Sequence, residues 1–401
     1  MELIRSNRTE TLADALASKV REEPLPPFET ETIVVQSTGI AHWLSLHLAK
    51  RLGIWANPAF PFPRTAIEQV LAALDEEADD KARAYDRDCL RWTIAQMLDE
   101  SPPAELDGYL GSPVDTDRAL RLALGVAGSF DDYAVYRPHL LAAWRKGTSD
   151  HWQAVLWRRV AEALGPYDLS SRMDRASARL SSDQAVTRVP FRRLHLFSLE
   201  TLPPSFIRFF GQLSQRIPTT LYVLEPCSEY RGDAGTRAAA QLMLQLGNEA
   251  ADGHPLLAGA GQLSGDFQRL LLDASEAVPF ELEREAFVAP GRSTLLSAVQ
   301  SDILELAAPP PASERPIVSK EDDSIALHQC PDPLREMQVL SDQIRGALED
   351  DSTLRPEDIV VMAPDLETYA PLFRAVFGQE SERPIPFDGE RLDTILVLRR
   401  R

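Results

Sequence analysis

The 401-residue sequence is poor in the features on which several common classes of protein depend. Its three cysteines lie far apart with no Cys-x-x-Cys pair, which argues against a disulfide framework or a zinc site and favours a reducing compartment. It contains no apolar run near the roughly 18 residues of a membrane span, and its first residues lack the apolar core of a signal peptide. These absences predict a cytoplasmic protein with no membrane segment.

Motifs for catalysis are also missing. A phosphate-binding loop needs the pattern GxxxxGK[ST], and no Gly-Lys pair occurs anywhere in the chain. The seven histidines form no HxxxH or HExxH pattern, and there is no GxSxG elbow. The sequence therefore predicts no catalytic site, no metal site and no cofactor in this chain.

Acidic residues outnumber basic ones, with 61 Asp and Glu, 42 Lys and Arg, and a formal net charge of −19. Because phosphate affinity comes from Lys and Arg, this balance favours a metabolic enzyme or one subunit of an assembly over a nucleic-acid-binding protein. A basic channel inside an acidic shell is compatible with the same net charge. Composition alone leaves these classes open.

Two strand-to-helix transitions near the N-terminus predict a parallel α/β sheet. Glu2–Arg5 is a candidate strand, and Asn7 is placed to cap the helix that follows it. The β-branched run Ile33–Val35 has no polar face, which is typical of a strand buried on both sides, and a helix then runs to about Arg51. Ligands of open α/β sheets bind at the carboxyl ends of strands, which is where Gln36–Gly39 lie.

The rest of the chain alternates between helical and strand-like stretches. The prolines of Asn57–Pro63 predict an extended bridge out of the sheet. Strands at Leu194–Ser198 and Leu221–Leu224 are expected to rejoin the first sheet. After a proline-rich linker, a new unit is predicted with strands at Ile325–His328 and Asp358–Met362. The predicted helices cover residues 67–74, 89–98, 119–133, 140–144, 152–164, 169–180, 206–213, 237–246, 267–273, 295–306, 334–348 and 369–377.

Several short motifs together repeat a known pattern. They are Arg5–Arg8, Val35–Gly39 with Trp43, Gly53-Ile54 with Ala56-Asn57, Phe60–Pro63, Val135–Pro138, Leu202–Pro204, Glu225–Cys227, Gln300–Glu305, Asp358–Met362 and Ala375–Gly378. In combination they resemble the RecC family, the gamma subunit of exodeoxyribonuclease V. The match runs from the first residues to about Gly389, and the segment Leu392–Arg401 does not resemble the family's continuation. Because the family's chains are much longer, the resemblance indicates an N-terminal fragment of such a chain.

The resemblance implies an α/β, superfamily 1 helicase-like fold with RecA-like parallel sheets and large helical insertions, in which the ATPase motifs have been lost. Residues 1–63 and 186–232 would be the two parts of a first RecA-like domain. Residues 64–185 would be a helical insertion, and 233–323 a second insertion with the linker. Residues 324–401 would begin a second, truncated RecA-like domain.

The resemblance also implies a function in double-strand break repair by homologous recombination. Family members are non-catalytic subunits of a heterotrimer with the helicase-nuclease RecB and the helicase RecD, and the partners use ATP and Mg²⁺. They contact single-stranded and duplex DNA, channel the 3′ strand and scan it for the Chi sequence. One alternative is a catalytic ATP-dependent helicase or nuclease subunit whose motifs lie beyond this fragment. Another is an interaction scaffold that makes no contact with DNA, which the acidity would suit.

The family's Chi-scanning residues carry over to individual positions of this chain. The resulting DNA-binding set is Gln36, Thr38, His42, Phe62, Asp131, Asp132, Arg137 and Arg172. His42 stands where the family has Gln, and Phe62 stands where it has Leu. Glu68 replaces a Trp, a stacking surface worth roughly 1–3 kcal/mol per base, and Gly128 and Ser129 replace an Asp-Leu pair.

Each of these residues also has a purely structural interpretation. Gln36 and Thr38 could form the capping turn of the following helix. An ion pair between Arg137 and the Asp131-Asp132 pair could close a helix end, and the same pair could hold the guanidinium for a phosphate or a base. Arg172 could be solvated, and Phe62 could pack against the sheet.

Overall fold

The computed structural model describes residues 1–181, 189–228, 254–275, 281–308, 310–311, 313–315, 317–363 and 365–378. The chain divides into two compact units, one of Met1–Ser293 with Ser297–Pro316 and one of Thr294–Leu296 with the residues from Ile317 onward. The helix predicted at 237–246 and the segment 392–401 lie outside the described residues. Within the described ranges, no helix is both long enough and apolar enough to cross a bilayer.

A six-stranded parallel sheet lies at the centre of the first unit. Its strands are β1 (Glu2–Ser6), β2 (Glu31–Val34), β3 (Pro58–Ala59), β4 (Leu194–Phe197), β5 (Thr219–Leu224) and β6 (Glu281–Glu285). Their spatial order is β3-β2-β4-β5-β1-β6. The strands predicted near residues 2, 33, 194 and 221 are confirmed, and they belong to one parallel sheet as predicted. Each short strand is followed by a helix that returns the chain to the amino ends of the strands, so the next strand runs in the same direction.

Helices cover both faces of the sheet. In the first unit they are α1 (Thr9–Glu22), α2 (Thr38–Leu52), α3 (Pro63–Leu74), α4 (Glu76–Ala82), α5 (Arg87–Glu100), α6 (Asp107–Leu110), α7 (Thr116–Tyr136), α8 (Pro138–Arg145), α9 (Trp152–Leu164), α10 (Leu169–Ser181), α11 (Pro204–Leu213), α12 (Pro255–Ala260), α13 (Gln262–Ser275) and, apart from its first two residues, α14 (Leu295–Leu304). Ile33 and Val35 pack with α1 and α2, whereas Val34 packs into the core on the opposite face. This alternation confirms that the strand is buried on both sides.

The larger core joins the second face of the sheet to the helices between residues 63 and 181. Trp157 on α9 is fully enclosed there and lies edge-on to Phe130 of α7, with 5.1 Å between the ring centroids. Tyr85 completes the aromatic group, 6.0 Å from Trp157. The helices predicted in this stretch are confirmed, and they pack against the sheet.

Two local predictions in the first unit are wrong. Pro58–Ala59 does not leave the sheet but pairs with β2 as an edge strand, the position in which a sheet tolerates proline. Asn7 does not cap α1, whose N-cap is Arg8 without a side-chain cap bond. The Asn7 amide instead exchanges two 2.9 Å hydrogen bonds with the backbone of Val288, and this tertiary partner outcompetes the local cap.

The second unit contains α15 (Pro333–Asp350) and α16 (Leu366–Phe377), which pack around Met337, Ile344, Phe373 and Phe377. Both helices are as predicted. The strands predicted at 325–328 and 358–362 are not formed, apart from a single bridge residue at Ile359. A strand needs a neighbour for its backbone hydrogen bonds, and no sheet is formed among the described residues of this unit.

Candidate nucleic-acid interface

The carboxyl ends of β2 and β4 carry an exposed polar rim. Gln36 leaves β2 and donates from Nε2 to the carbonyl of Thr201, which follows β4, over 3.0 Å. The cap of α2 is Ser37, whose Oγ accepts from Ile40 N at 3.2 Å. The capping interpretation therefore belongs to Ser37. The Gln36 amide oxygen and the Thr38 hydroxyl accept no hydrogen bond within the described part of the chain.

Two further predicted residues extend this rim. His42 is exposed on α2 one turn after Thr38, so both side chains lie on the same face of the helix. Phe62 is the N-cap residue of α3 and its side chain is also exposed, at 44% of its full area. The backbone just before it is tied to the end of β2, because Val35 N donates to Pro61 O at 3.2 Å. Phe62 is thus only partly packed, and its exposed ring borders the strand end.

The expected ion pair between Arg137 and the Asp131-Asp132 pair is not present. Asp131 is bonded by Arg64 and Arg87, and Asp132 is bonded by Arg87 at 3.0 Å. Arg137 lies at the junction of α7 and α8, exposed, with its guanidinium 5.9 Å from the centre of the Tyr133 ring. No hydrogen bond from the Arg137 side chain is found within the described ranges, so its donors face solvent.

The segment 201–205 joins the rim to the end of α7. Thr201 receives the Gln36 hydrogen bond, and Ser205 donates from Oγ to Val135 O at 2.6 Å. Gln36 and Arg137 therefore flank the same short connection after β4. The two ends of this segment thus contact Gln36, which follows β2, and the last turn of α7.

Arg172 does not join the exposed rim. Its side chain is 8% exposed and donates to Asp79 at 2.5 Å, so the solvated interpretation is wrong. It lines a cavity of about 330 Å³ that lies among the helices beside the sheet. Asp131, Glu68 and Arg64 line the same cavity, so the structure brings two predicted residues, Arg172 and Asp131, to one cavity. Asp131 is also bonded by Arg64 and Arg87.

Glu68, which stands where the family has a Trp, forms an ion pair. Glu68 accepts from Arg64 Nε at 2.8 Å, one turn apart on α3. Burial lowers the pKa of Arg64, but Glu68 and Asp131 outweigh it and raise that pKa. Gly128 has open space where a side chain would stand, and Ser129 Oγ bonds back to Gly125 O at 3.0 Å. Arg64 and Arg87 were not among the predicted residues. The i, i+4 spacing of Arg64 and Glu68 was the one sequence signal for this cluster.

The amino ends of β2 and β4 carry a buried ionic network. Glu31, at the start of β2, receives two hydrogen bonds from Arg193 at 2.7 and 2.5 Å and one contact from His195 at 3.1 Å. Burial raises the pKa of Glu31, but these hydrogen bonds outweigh it and bring that pKa down to about 2. Burial also lowers the pKa of His195, whose Nδ1 meets the Tyr222 hydroxyl at 3.2 Å. All of these groups have partners inside the protein.

The carboxyl end of β1 is also closed. Arg5 bonds Glu225, at the end of β5, over 2.6 Å and Glu285 over 2.9 Å. Ser6 Oγ donates to Ala286 O at 2.7 Å and accepts from Arg8 N at 3.1 Å. Together with the Asn7–Val288 bonds, these contacts fill the space directly after the strand.

The sequence of this chain was compared with those of known protein families and known proteins. The family described as RecC, N-terminal domain, matches residues 1–306. The RecBCD enzyme subunit RecC of Escherichia coli (strain K12) is 31% identical over 96% of this chain and 39% of that protein. The subunit of the same name from Mycolicibacterium smegmatis is 33% identical over 94% of this chain and 34% of that protein. The chain thus spans little more than a third of the length of these curated relatives.

Proposed function

The chain belongs to the RecC family, and from this premise we propose that it is a non-catalytic subunit of a RecBCD-type helicase-nuclease that acts in DNA repair by recombination. In this proposal the chain helps to scaffold RecB-like and RecD-like partners in the cytoplasm and guides the 3′ single strand. It needs no cofactor of its own, since ATP and Mg²⁺ are used by the partners. The relatives from Escherichia coli and Mycolicibacterium smegmatis are both named as subunits of the RecBCD enzyme, which supports the assembly role.

The closed end of β1 supports a helicase-like sheet that has lost its ATPase site. In a phosphate-binding motor, a glycine-rich loop follows a strand, and its backbone N–H groups hold the phosphates. Here the strand ends at Ser6 and Asn7 follows it, and both are bonded to the segment 286–288. The Arg5–Glu225 pair fills the neighbouring strand ends. A nucleotide would have to break these contacts to bind.

The exposed rim supports contact with a single strand. Gln36 and Thr38 offer hydrogen-bonding groups at the strand end, and Phe62 offers an exposed ring on which a base could stack. Arg137, which makes no ion pair among the described residues, supplies a positive charge near the other end of the segment 201–205. The observation that carries the proposal is that a member of this family exposes Gln36 and Thr38, with free hydrogen-bond acceptors, at the carboxyl end of β2.

Chi scanning is part of the proposal, and the sequence read need not be that of the relatives. Glu68 is committed to Arg64, and Gly128 leaves open space, so neither supplies the contact that the family's Trp or Asp-Leu pair would make. We expect the chain to bind single strands with a changed base preference.

The proposal is tested by the binding of fluorescently labelled single-stranded DNA to the full chain, measured by fluorescence anisotropy with and without a RecB-like helicase. We expect Arg137→Ala to weaken binding about tenfold, since a hydrogen bond to a charged group contributes about 1.5 kcal/mol, and to reduce the salt slope by about 1. Arg121→Ala is the matched control, because Arg121 is exposed on α7, the helix that ends directly before Arg137. ATP hydrolysis by the chain alone would contradict the non-catalytic role.

A second function, that of an assembly scaffold without strand contact, is favoured by the formal charge of −19. The same assay separates the two functions. A scaffold would bind the RecB-like helicase and leave the anisotropy of the labelled strand unchanged.

A further inference from the structure

The adjacent carboxylates Asp131 and Asp132 have different surroundings. Asp131 is 9% exposed, and both of its oxygens are engaged, by Arg64 at 2.8 Å and by Arg87 at 2.9 Å. Asp132 is 60% exposed and accepts one hydrogen bond, from Arg87 to Oδ1 at 3.0 Å. Its Oδ2 has no partner among the described residues. Asp131 therefore anchors the arginines, and Asp132 keeps a free acceptor.

Arg87 is held in place by these two carboxylates and keeps free donors. Its Nε bonds Asp131, its Nη2 bonds Asp132, and Nη1 bonds nothing in the described part of the chain. The side chain is 57% exposed. Because the guanidinium is planar, fixing two of its nitrogens also fixes the direction of the third. Arg87 and Asp132 therefore present a donor and an acceptor side by side.

The charge of this cluster argues against a phosphate as its ligand. Three carboxylates, those of Glu68, Asp131 and Asp132, face the two guanidinium groups of Arg64 and Arg87. A carboxylate oxygen needs a hydrogen-bond donor, and in single-stranded DNA the N–H donors are on the bases, not on the phosphate or the deoxyribose. A base edge carries donors and acceptors side by side, which matches the Arg87–Asp132 pair.

An aromatic surface lies next to this pair. Tyr136 follows Asp132 by one turn of α7, so both side chains lie on the same face of the helix. Tyr136 is 63% exposed, an unusual position for a large aromatic side chain. A base stacked on this ring would have its edge within reach of residues one turn away.

We propose that Arg87, acting with Asp132 of the predicted DNA-binding set, reads the hydrogen-bonding edge of a base in a bound DNA strand, with Tyr136 as the stacking surface. Asp131 and Arg64 are positioning residues, since they act by fixing Arg87. This inference rests on the proposed strand binding and adds a specificity-determining arginine to it.

The test measures the affinity of the full chain for labelled dA, dC and dT homopolymers of equal length across a range of salt concentrations. Arg87→Gln should reduce the affinity ratio between the best-bound and worst-bound homopolymer roughly tenfold and leave the salt slope unchanged, as expected for a base contact. Arg87→Lys keeps the charge and should lose the same preference. Asp132→Asn converts an acceptor into a group that also donates, so it should change which homopolymer binds best.

Arg91→Gln is the matched control, because Arg91 lies one turn along α5 and pairs with Asp88 at 3.4 Å, outside the cluster. It should leave the affinity ratio unchanged. If Arg87→Gln melts at a lower temperature than the parent chain, its change in affinity could come from lost stability. The affinity ratio of Asp132→Asn then tests the proposal, since Asp132 is mostly exposed.

The failures of the two proposals are distinguishable. If the parent chain binds no strand, strand binding and this inference both fail. If the parent chain binds but Arg87→Gln and Asp132→Asn leave the affinity ratio unchanged, only this inference fails. A uniform loss over all homopolymers with a salt slope lower by about 1 would identify Arg87 as a phosphate contact and overturn the assignment.

Discussion

The two ends of β2 carry polar side chains with opposite roles. At the amino end, Glu31 is buried and bonded to Arg193 and His195, and the whole group is closed to solvent. At the carboxyl end, Gln36 and Thr38 are exposed and keep free hydrogen-bonding atoms. The amino end therefore holds the sheet together, and the carboxyl end is available to a ligand.

The comparison shows that charge alone does not mark a binding site in this protein. Both members of the buried Arg193–Glu31 ion pair find their partner inside the protein. Arg137 makes no ion pair among the described residues, yet it is the better candidate for a ligand contact because its donors are exposed. The two ends of β2 differ in whether their polar atoms are free to bond a ligand, not in how many polar atoms they carry.

The largest expected effect comes from breaking the amino-end network. Glu31→Gln leaves the Arg193 guanidinium, 6% exposed, without its buried counter-charge, and only the exposed Glu23 carboxylate remains, 3.9 Å away. We expect the free energy of unfolding in urea to fall by about 3–5 kcal/mol, the usual cost of removing one partner of a buried pair. The matched change at the other end, Gln36→Ala, should alter it by less than about 0.5 kcal/mol. Equal losses from both changes would contradict the distinction.

The next effect is a loss of stability in acid. The pKa of Glu31 is lowered from 4.5 to about 2 in the folded chain, so the folded state favours the charged carboxylate. This contribution is complete above pH 4.5 and is lost as the pH falls toward 2, and it amounts to about 3 kcal/mol. Urea unfolding followed between pH 6 and about pH 3 measures it. The Glu31→Gln chain should lose less stability over the same interval, and an identical loss would refute the assignment.

The smallest effect sharpens the carboxyl end. Gln36→Ala should weaken the binding of single-stranded DNA about fivefold, since one neutral hydrogen bond contributes about 1 kcal/mol. The melting temperature should not change, because Gln36 is exposed. Gln96→Ala, at an exposed glutamine of α5 bonded to Glu100, is the control for anisotropy measurements. A loss of stability in place of affinity would make Gln36 a structural residue.

Periodicity predicted the elements of the first unit well. Ile33–Val35 forms the expected buried strand region, and Trp152–Leu164 is a helix with the predicted bounds. Such patterns succeed because burial of one face or both faces is written directly into the spacing of apolar residues. In the second unit the same pattern failed for 325–328, since a strand also needs a neighbour that periodicity cannot supply.

Pairing of charges was predicted poorly. Proximity in sequence suggested that Asp131 and Asp132 would pair with Arg137, yet they pair with Arg64 and Arg87 from two other helices. Arg172 was expected at the surface and is buried against Asp79. Long arginine side chains reach across several turns, so their partners depend on how the helices pack.

The sequence by itself determined the family, the parallel sheet and the edge at which Gln36 and Thr38 lie, because these follow from apolar spacing and from short motifs local to the chain. Only the tertiary structure decided which charged groups are bonded to other side chains and which remain exposed to solvent. Glu31 and Arg193 are far apart in the chain, as are Arg87 and Asp132, and only the packing of helices and strands brings each pair within hydrogen-bonding distance.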